Sequence, residues 1–250
     1  MISITEAQLL AWLTPLLWPF VRALALFSAM PVLGTRMVPL RVRIALAGFI
    51  AYAAQASLPE MPAVALDSPL AFTLVLQQLV VGLSLGIAVR VLFAAVEFAG
   101  ELVGLQMGLN FAGFFDPVSA SQGTATARFF GTTVSWLFIV INGHLLVIGA
   151  LVDSFRAFPV GPEPFAFLRA ALPHQWGAEI FGTGLWIALP LLAMLLFVNV
   201  VLGMISRVAS QINVFAVGFP ITLGVGLIGI LLTLPLLQAP FMVAMDRLLS

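Results

Sequence analysis

The sequence has no cysteine, no lysine and few charges. Among its 250 residues, 10 arginines balance 10 acidic residues, charged residues make up only 8% of the chain, and histidine occurs twice. The absence of cysteine excludes disulfides and thiolate metal sites. A net charge of zero gives no support for nucleic-acid binding. Soluble domains carry about 25% charged residues, so this chain falls outside their usual composition.

Apolar residues are what the sequence has in abundance. They make up 62% of the chain, and the mean hydropathy is +1.17. Apolar runs lie at roughly 9–33, 44–58, 70–115, 129–152, 180–205 and 214–237. A membrane-spanning helix needs about 20 residues, so the third run could hold two helices, or one with a broken end. We predict an all-α membrane protein that forms a single domain over residues 1–250.

The charges near the amino terminus bear on topology. No basic residue precedes Arg22, which is atypical of a cleavable signal peptide, so we expect the first run to remain in the mature chain. The loop after that run carries Arg36, Arg41 and Arg43. The tendency of basic loops to stay inside places this loop in the cytoplasm and the amino terminus outside.

Several charges lie inside apolar runs. Arg22 stands near the middle of the first run, where an arginine costs about 2.5–3.5 kcal/mol. Arg90, Glu97 and Glu101 lie within the third, and their spacings of seven and four place them on one helical face. Two interpretations stay open for these three residues: a buried ion pair beside a packing groove, or carboxylates on a transport path.

The same helical face carries a pattern of small residues. Gly100, Gly104 and Gly108 recur at every fourth position, a spacing that brings helices into close contact. Because charge and glycine share one stripe, we predict that it faces protein or water and not lipid. A literal G-x-G-x-x-G at 224–229 also indicates helix packing, because it lies inside an apolar run without the strand–turn–helix context of a dinucleotide site.

A segment rich in glycine, aromatic and hydroxyl residues separates the third and fourth runs. Residues 104–130 read GLQMGLNFAGFFDPVSASQGTATARFF. Asp116 before Pro117 disfavours helix, and the hydroxyl groups would be penalised in hydrocarbon. Irregular backbone at membrane depth survives only when it is buried in protein or lines an aqueous path. The segment therefore indicates a conduit or its closure.

We find no arrangement of residues that predicts catalysis. His144 and His174 have no second metal ligand at helical spacing, and the sequence contains no P-loop. Glu97 and Glu101 have no nucleophile nearby that would favour acid–base chemistry. We therefore predict that the protein is not an enzyme and that it uses no cofactor or metal.

Three ordered stretches resemble the FliR/SctT family of type III secretion export-gate subunits. They are PVLG at 31–34 with PLRVR at 39–43, EFAGELVGLQMGLNFAGFFDP at 97–117, and SRVASQINVFAVGFP at 206–220. Ser210 departs from the proline expected before Gln-Ile-Asn in the third stretch. The wording of the motifs is closer to the flagellar branch than to its virulence counterpart, which stays an alternative.

The resemblance implies helical hairpins that pack into a helical export-gate assembly, with a FliP-like part joined to a FliQ-like part. It implies a hetero-oligomer with FliP and FliQ, contact with FlhB, passage of unfolded substrates, and a place in the flagellar basal body at the bacterial inner membrane. It also implies that one loop helps to plug the closed pore, at Gly108, Asn110, Phe111, Gly113, Phe114, Phe115, Asp116 and Pro117.

Charged and polar residues elsewhere are expected to make subunit contacts or to form buried charges, namely Arg90, Glu97, Glu101, Arg207 and Asn213. We expect loss of Glu97 and Glu101 together to weaken subunit association more than gating. A small-molecule or ion transporter is the alternative from another class, since Arg22 and the two glutamates lie within apolar runs. A membrane enzyme acting on lipid would need convergent His, Asp or Ser groups.

Overall fold

The computed structural model describes residues 6–35, 37–65, 67–109, 123–161, 163, 167, 175–209 and 214–249. These ranges hold α-helices and turns and contain no strand, which confirms the all-α prediction. The helices are α1 (Glu6–Ala29), α2 (Leu40–Ala54), α3 (Pro69–Gln106), α4 (Ala125–Val140), α5 (Gly143–Ala157), α6 (Gln175–Val208), α7 (Val214–Thr233) and α8 (Gln238–Leu249). Short 3₁₀ helices follow α2 at Gln55–Ser57 and α7 at Leu234–Leu237.

Three of the described helical stretches are long and apolar enough to cross a membrane. They are α3, the part of α6 at Trp176–Val208, and the stretch Ala216–Leu248 that runs through α7 and α8. The pair α4 and α5 would add a fourth span if its two helices are counted together. By length and composition the chain is a membrane protein, as its hydropathy predicts.

The third apolar run forms a single helix that ends before the run does. α3 has 38 residues, which corresponds to a length of about 57 Å at 1.5 Å per residue. It stops at Gln106, although the apolar run continues to residue 115. Of the two possibilities for this run, one helix with a broken end is therefore the one observed.

The fourth apolar run, 129–152, is not continuous, which corrects the boundaries read from hydropathy alone. Asn142 takes the left-handed conformation with φ 58°, and its N–H donates to Ile139 O at 3.1 Å. Asparagine tolerates this conformation better than most residues with a side chain, so the helix can end here and a new one can begin at Gly143. His144 consequently lies in the first turn of α5.

The described residues group into two compact units, and α3 contributes to both. Unit 1 takes residues from Met1–Arg90, Ile139–Trp176 and Leu248–Ser250, whereas unit 2 takes them from Val91–Phe138 and Gly177–Arg247. The single domain over 1–250 stays a prediction.

Within unit 1, α1 and α3 run parallel. Trp18 packs in a cluster with Leu74, and four residues and more further along both helices the contacts continue in the same order. A Cβ on Gly82 would lie 2.8 Å from the Cβ of Ala25, and Gly86 in turn meets the backbone of α1 one turn later. These two glycines let the helices approach closely. α2 returns the chain between them and packs against α1.

Within unit 2, the second half of α3 is surrounded by α4, α6, α7 and α8. Phe93 makes edge-to-face contacts with Phe138 and Phe241, at centroid distances of 5.6 and 6.1 Å. Such aromatic pairs add to the stability that burial alone provides. On another side Gly184 of α6 lies so close to α3 that an added Cβ would be 2.6 Å from Ala95 O. This part of α3 is therefore the central helix of unit 2.

Candidate functional site

The glycine- and aromatic-rich segment begins where α3 ends. Met107 N donates to Val103 O at 2.9 Å, and Gly108 N donates to Leu105 O at 3.1 Å. Gly108 then takes φ 80°, a left-handed conformation that favours glycine at a helix end. Gly108, the first residue of the predicted plug, is thus the residue at which the helix stops.

This end of α3 is held by contacts to α6 and α7. Met107 is fully buried, and its carbonyl accepts a hydrogen bond from Thr222 Oγ1 at 3.5 Å. Asn199 Nδ2 donates to Gln106 Oε1 at 3.4 Å. Gly226 packs on the Met107 side chain, since an added Cβ would lie 2.6 Å from the sulfur. The packing interpretation of the G-x-G-x-x-G pattern is thereby confirmed for Gly226.

The other flank of the segment is anchored by Glu101 across a helix interface. Thr124 precedes α4, and its hydroxyl accepts a hydrogen bond from Ala127 N at 3.1 Å, as expected for a helix N-cap. Thr124 also donates its N–H and its hydroxyl to Glu101 Oε2, at 3.1 and 2.9 Å. In a capping box the third helical residue supplies this acceptor, but here that residue is an alanine and α3 supplies the carboxylate instead.

The glycine stripe of α3 packs directly against α4. A Cβ on Gly100 would lie 2.9 Å from both Ala127 Cα and Thr126 O, and a Cβ on Gly104 would lie 3.0 Å from Thr124 Oγ1. These distances are shorter than normal carbon contacts, so both positions require glycine. The close packing predicted from the four-residue spacing is confirmed, and it occurs within the chain.

Replacing one of these glycines should separate packing from helix propensity. In Gly100→Ala the new methyl group meets α4 backbone, an overpacking effect of about 1–3 kcal/mol. In the control Gly149→Ala nothing lies within 4 Å of the added Cβ, so only the gain in helix propensity remains. We expect a lower thermal unfolding midpoint for purified Gly100→Ala than for Gly149→Ala. Equal midpoints would contradict the close contact between α3 and α4.

A polar groove of about 740 Å³ opens beside this interface, within unit 2. Glu97 and Glu101 line it together with Arg128, Thr132 and Ser135. Glu97 is exposed and lies over Gly131, where an added Cβ would be 2.9 Å from Glu97 Oε1. A surface with two carboxylates and an arginine is unfavourable against hydrocarbon, which supports the prediction that this face meets water or protein.

Removal of the Glu101 carboxylate should destabilise the start of α4. In Glu101→Ala the Thr124 N–H loses its acceptor in a partly buried site, which costs about 1–3 kcal/mol. For a chain of this size that corresponds to a fall in the unfolding midpoint of roughly 2–12 °C. Thermal unfolding of the purified protein measures it, with the exposed Glu60→Ala as the control. An unchanged midpoint in Glu101→Ala would show that the carboxylate does not hold Thr124.

The structure brings together only some of the residues singled out in the sequence. Glu97, Glu101 and Gly108 lie around the two flanks of the segment, whereas Arg207 is exposed in the last turn of α6. Arg90 is exposed on α3 and makes no hydrogen bond or ion pair with the part of the chain that is described, so no buried pair forms there. The remaining predicted residues lie outside the described ranges, namely Asn110, Phe111, Gly113, Phe114, Phe115, Asp116, Pro117 and Asn213.

A second polar centre lies in unit 1 around the fully buried Arg22. Its Nε donates to Gln78 Oε1 at 2.7 Å, its Nη1 to Ser154 Oγ at 2.9 Å, and its Nη2 to Phe158 O at 3.0 Å. The guanidinium also stacks on the Phe155 ring, 3.7 Å from the ring centroid. All of these partners are neutral. The cation lies at the carboxyl end of α5, where the helix dipole favours positive charge.

Hydrogen bonds extend from Arg22 to the chain that follows α5. Gln78 Nε2 donates to Gln77 Oε1 at 2.9 Å, and Gln77 Nε2 donates to Pro159 O at 3.1 Å. Gly161 N donates to Gln77 Oε1 at 3.1 Å. We call Arg22, Gln77, Gln78 and Ser154 the arginine clamp, because they fasten α1, α3 and the end of α5 together.

The sequence analysis identified Arg22 but missed the other members of the clamp. Gln77 and Gln78 are adjacent amides within an apolar run, and both are buried. Polar residues at such positions usually find partners on neighbouring helices, so the pair was a usable signal. Ser154 gave no comparable signal, because a serine near a helix end is common.

These features define a helical membrane protein that buries a charged network and carries an anchored, glycine-rich connection. Residues 13–248 match the sequence profile of the family described as bacterial export proteins, family 1. The flagellar biosynthetic protein FliR of Escherichia coli K12 is 43% identical over 244 residues, which cover 96% of this chain and 92% of the relative. The FliR of Pectobacterium carotovorum is 41% identical over the same shares, and that of Aquifex aeolicus is 32% identical over 90% and 87%.

The chain therefore belongs to the FliR family of bacterial export proteins. The resemblance seen in the three sequence motifs is confirmed over almost the whole length of the chain. Membership assigns the chain to flagellar biosynthesis and export, and its apolar helices make it a membrane component.

Proposed function

We propose that the chain is a non-enzymatic subunit of the flagellar type III protein export gate, located in the bacterial inner membrane at the basal body. In this proposal it forms, with FliP and FliQ, the channel through which unfolded substrates pass, and it contacts FlhB. The observation that carries the proposal is the 43% identity to a FliR over 96% of the chain. The matched relatives bear the flagellar name, which favours the flagellar branch over the virulence branch.

The proposal includes a pore plug formed by Gly108 and residues 110–117. Its support from the described residues is the anchoring of both flanks. Gln106 and Met107 are held on one side, and Thr124 is held by Glu101 on the other. A segment with fixed ends can obstruct a path without being carried along it. Its phenylalanines would supply the bulk, and its glycines the freedom to turn.

Subunit contacts in this proposal fall to residues that the chain itself leaves accessible. Arg90 and Arg207 are exposed on apolar helices, Glu97 is exposed at the groove, and Asn213 belongs to the third sequence motif. Glu101 differs from these because it accepts two hydrogen bonds from Thr124. We expect substitution of Glu97 to act on association, and substitution of Glu101 to act on the stability of α4.

The transporter alternative loses one of its supports. It drew on Arg22 as a charge at membrane depth on a substrate path. Arg22 is fully buried, and three groups of the same chain accept its hydrogen bonds. A guanidinium enclosed in this way joins helices and offers no surface to a passing ligand.

Co-purification tests the proposed function. The tagged chain is expressed with its neighbouring FliP and FliQ candidates, extracted in mild detergent, and weighed by native mass spectrometry. We expect one copy of the chain with several copies of each partner. A monodisperse particle that contains only this chain, while both partners are present and folded, would overturn the gate assignment and favour the transporter.

A further inference from the structure

Within unit 1, α3 leaves one narrow stripe open. Leu79, Leu83 and Ile87 are 39%, 41% and 41% exposed, and Arg90 is also exposed. The other positions between 79 and 90 are buried or half-buried. At 100° per residue, the four open positions fall within a sector of about 80°. The helix is thus enclosed by its own chain on every side except this one.

Arg90 makes the stripe unsuitable for hydrocarbon. It forms no hydrogen bond or ion pair with the residues that the structure describes, and no charge precedes it in α3 from Pro69 onward. A guanidinium presents five N–H donors that need acceptors. Long basic side chains reach the lipid headgroups from the ends of a helix, but Arg90 lies 21 residues after Pro69 and 16 before Gln106.

We propose that the stripe Leu79–Leu83–Ile87–Arg90 is the contact surface for one apolar helix of another gate subunit, and that this helix places a carboxylate opposite Arg90. The inference rests on the proposed function and adds the chemistry of the partner. A sector of about 80° is what one helix packed at 8–10 Å can cover. A carboxylate matches the planar fork of the guanidinium and can accept two hydrogen bonds from it.

Charge complementarity excludes a second copy of this chain as the occupant. Two copies inserted with the same orientation are related by an axis along the membrane normal. That symmetry sets Arg90 level with Arg90 of the other copy, so that the two cations repel. The occupant must therefore be a different chain with an acidic residue at this depth.

Photo-crosslinking identifies the occupant directly. p-Benzoylphenylalanine is introduced at Leu83, with Arg90 intact, and the chain is co-expressed with its FliP and FliQ candidates. We expect a crosslink to one of these partners in the purified complex. Crosslinks only to phospholipid, or only to a second copy of this chain, would overturn the inference while leaving the co-purified gate intact. Failure of any complex to form would instead overturn the proposed function, and the inference with it.

Substitution of Arg90 tests the paired carboxylate. In Arg90→Met the apolar contact is kept but the partner carboxylate is left without its cation, so we expect at least a tenfold lower yield of complex. Arg90→Lys should restore most of the yield. Arg156→Met, in an exposed i,i+3 pair with Asp153, is the matched control and should change little. Wild-type yield of the Arg90→Met complex would overturn the paired carboxylate.

Discussion

Arg22→Met should reduce the accumulation and the thermal stability of the chain more than any other single substitution discussed above. The change removes three hydrogen bonds and the stacking on Phe155. Gln78 Oε1 and Phe158 O then have no donor in a buried site, at about 1–3 kcal/mol for each. Because folded proteins exceed their unfolded states by only about 5–15 kcal/mol, a loss of this size should deplete the folded population. Immunoblots of membranes and unfolding of the purified chain measure it.

Two further variants separate the arginine clamp from a general effect of charge removal. Arg156→Met removes an arginine whose side chain is 66% exposed, so it should leave accumulation unchanged. Arg22→Met combined with Gln78→Leu replaces donor and acceptor together, which should recover part of the lost stability. Arg22→Lys should be intermediate, since an ammonium cannot reach three acceptors placed around a planar fork. A wild-type unfolding midpoint for Arg22→Met would contradict the clamp.

Features that depend on local spacing could be predicted from the sequence. Gly100 and Gly104 share a face at every helical turn, and their close contact with another helix follows from that spacing. The separation of Glu101 from this stripe by one position similarly placed its carboxylate beside the same interface. Helix type and number of apolar stretches followed from hydropathy, because a helix satisfies its backbone hydrogen bonds internally.

Features that depend on distant partners could not be predicted. The carboxylate that completes the cap of α4 comes from Glu101, 23 residues before Thr124, and nothing local indicates this pairing. Ser154 likewise meets Arg22 across 132 residues. The break at Asn142 escaped because hydropathy ignores backbone conformation, although Asn142-Gly143 is a recognised turn signal. Long-range register is fixed by three-dimensional packing, which a single sequence does not report.

Shortening the connection between α3 and α4 should open the channel without preventing its assembly. Deletion of residues 111–119 removes Phe111, Phe114 and Phe115, which would supply the bulk of the proposed plug. The anchors at Gln106, Met107 and Thr124 lie outside the deletion, so α3 and α4 keep their contacts. We expect ion leakage to rise at least about tenfold when the complex is expressed, because an apolar constriction blocks ions by excluding water. Conductance of the reconstituted complex measures it.

Side-chain substitutions distinguish bulk from loop length. Replacing the three phenylalanines by alanine keeps the length and should also raise leakage, whereas Ser119→Ala with Ser121→Ala should not. Both sets of variants should give complexes of wild-type mass, since neither touches the anchors at Glu101 or Met107. Leakage at the wild-type level from a normally assembled phenylalanine-to-alanine complex would mean that these rings pack within the protein. The closed state would then depend on another part of the gate, and the anchored flanks would serve only to join α3 to α4.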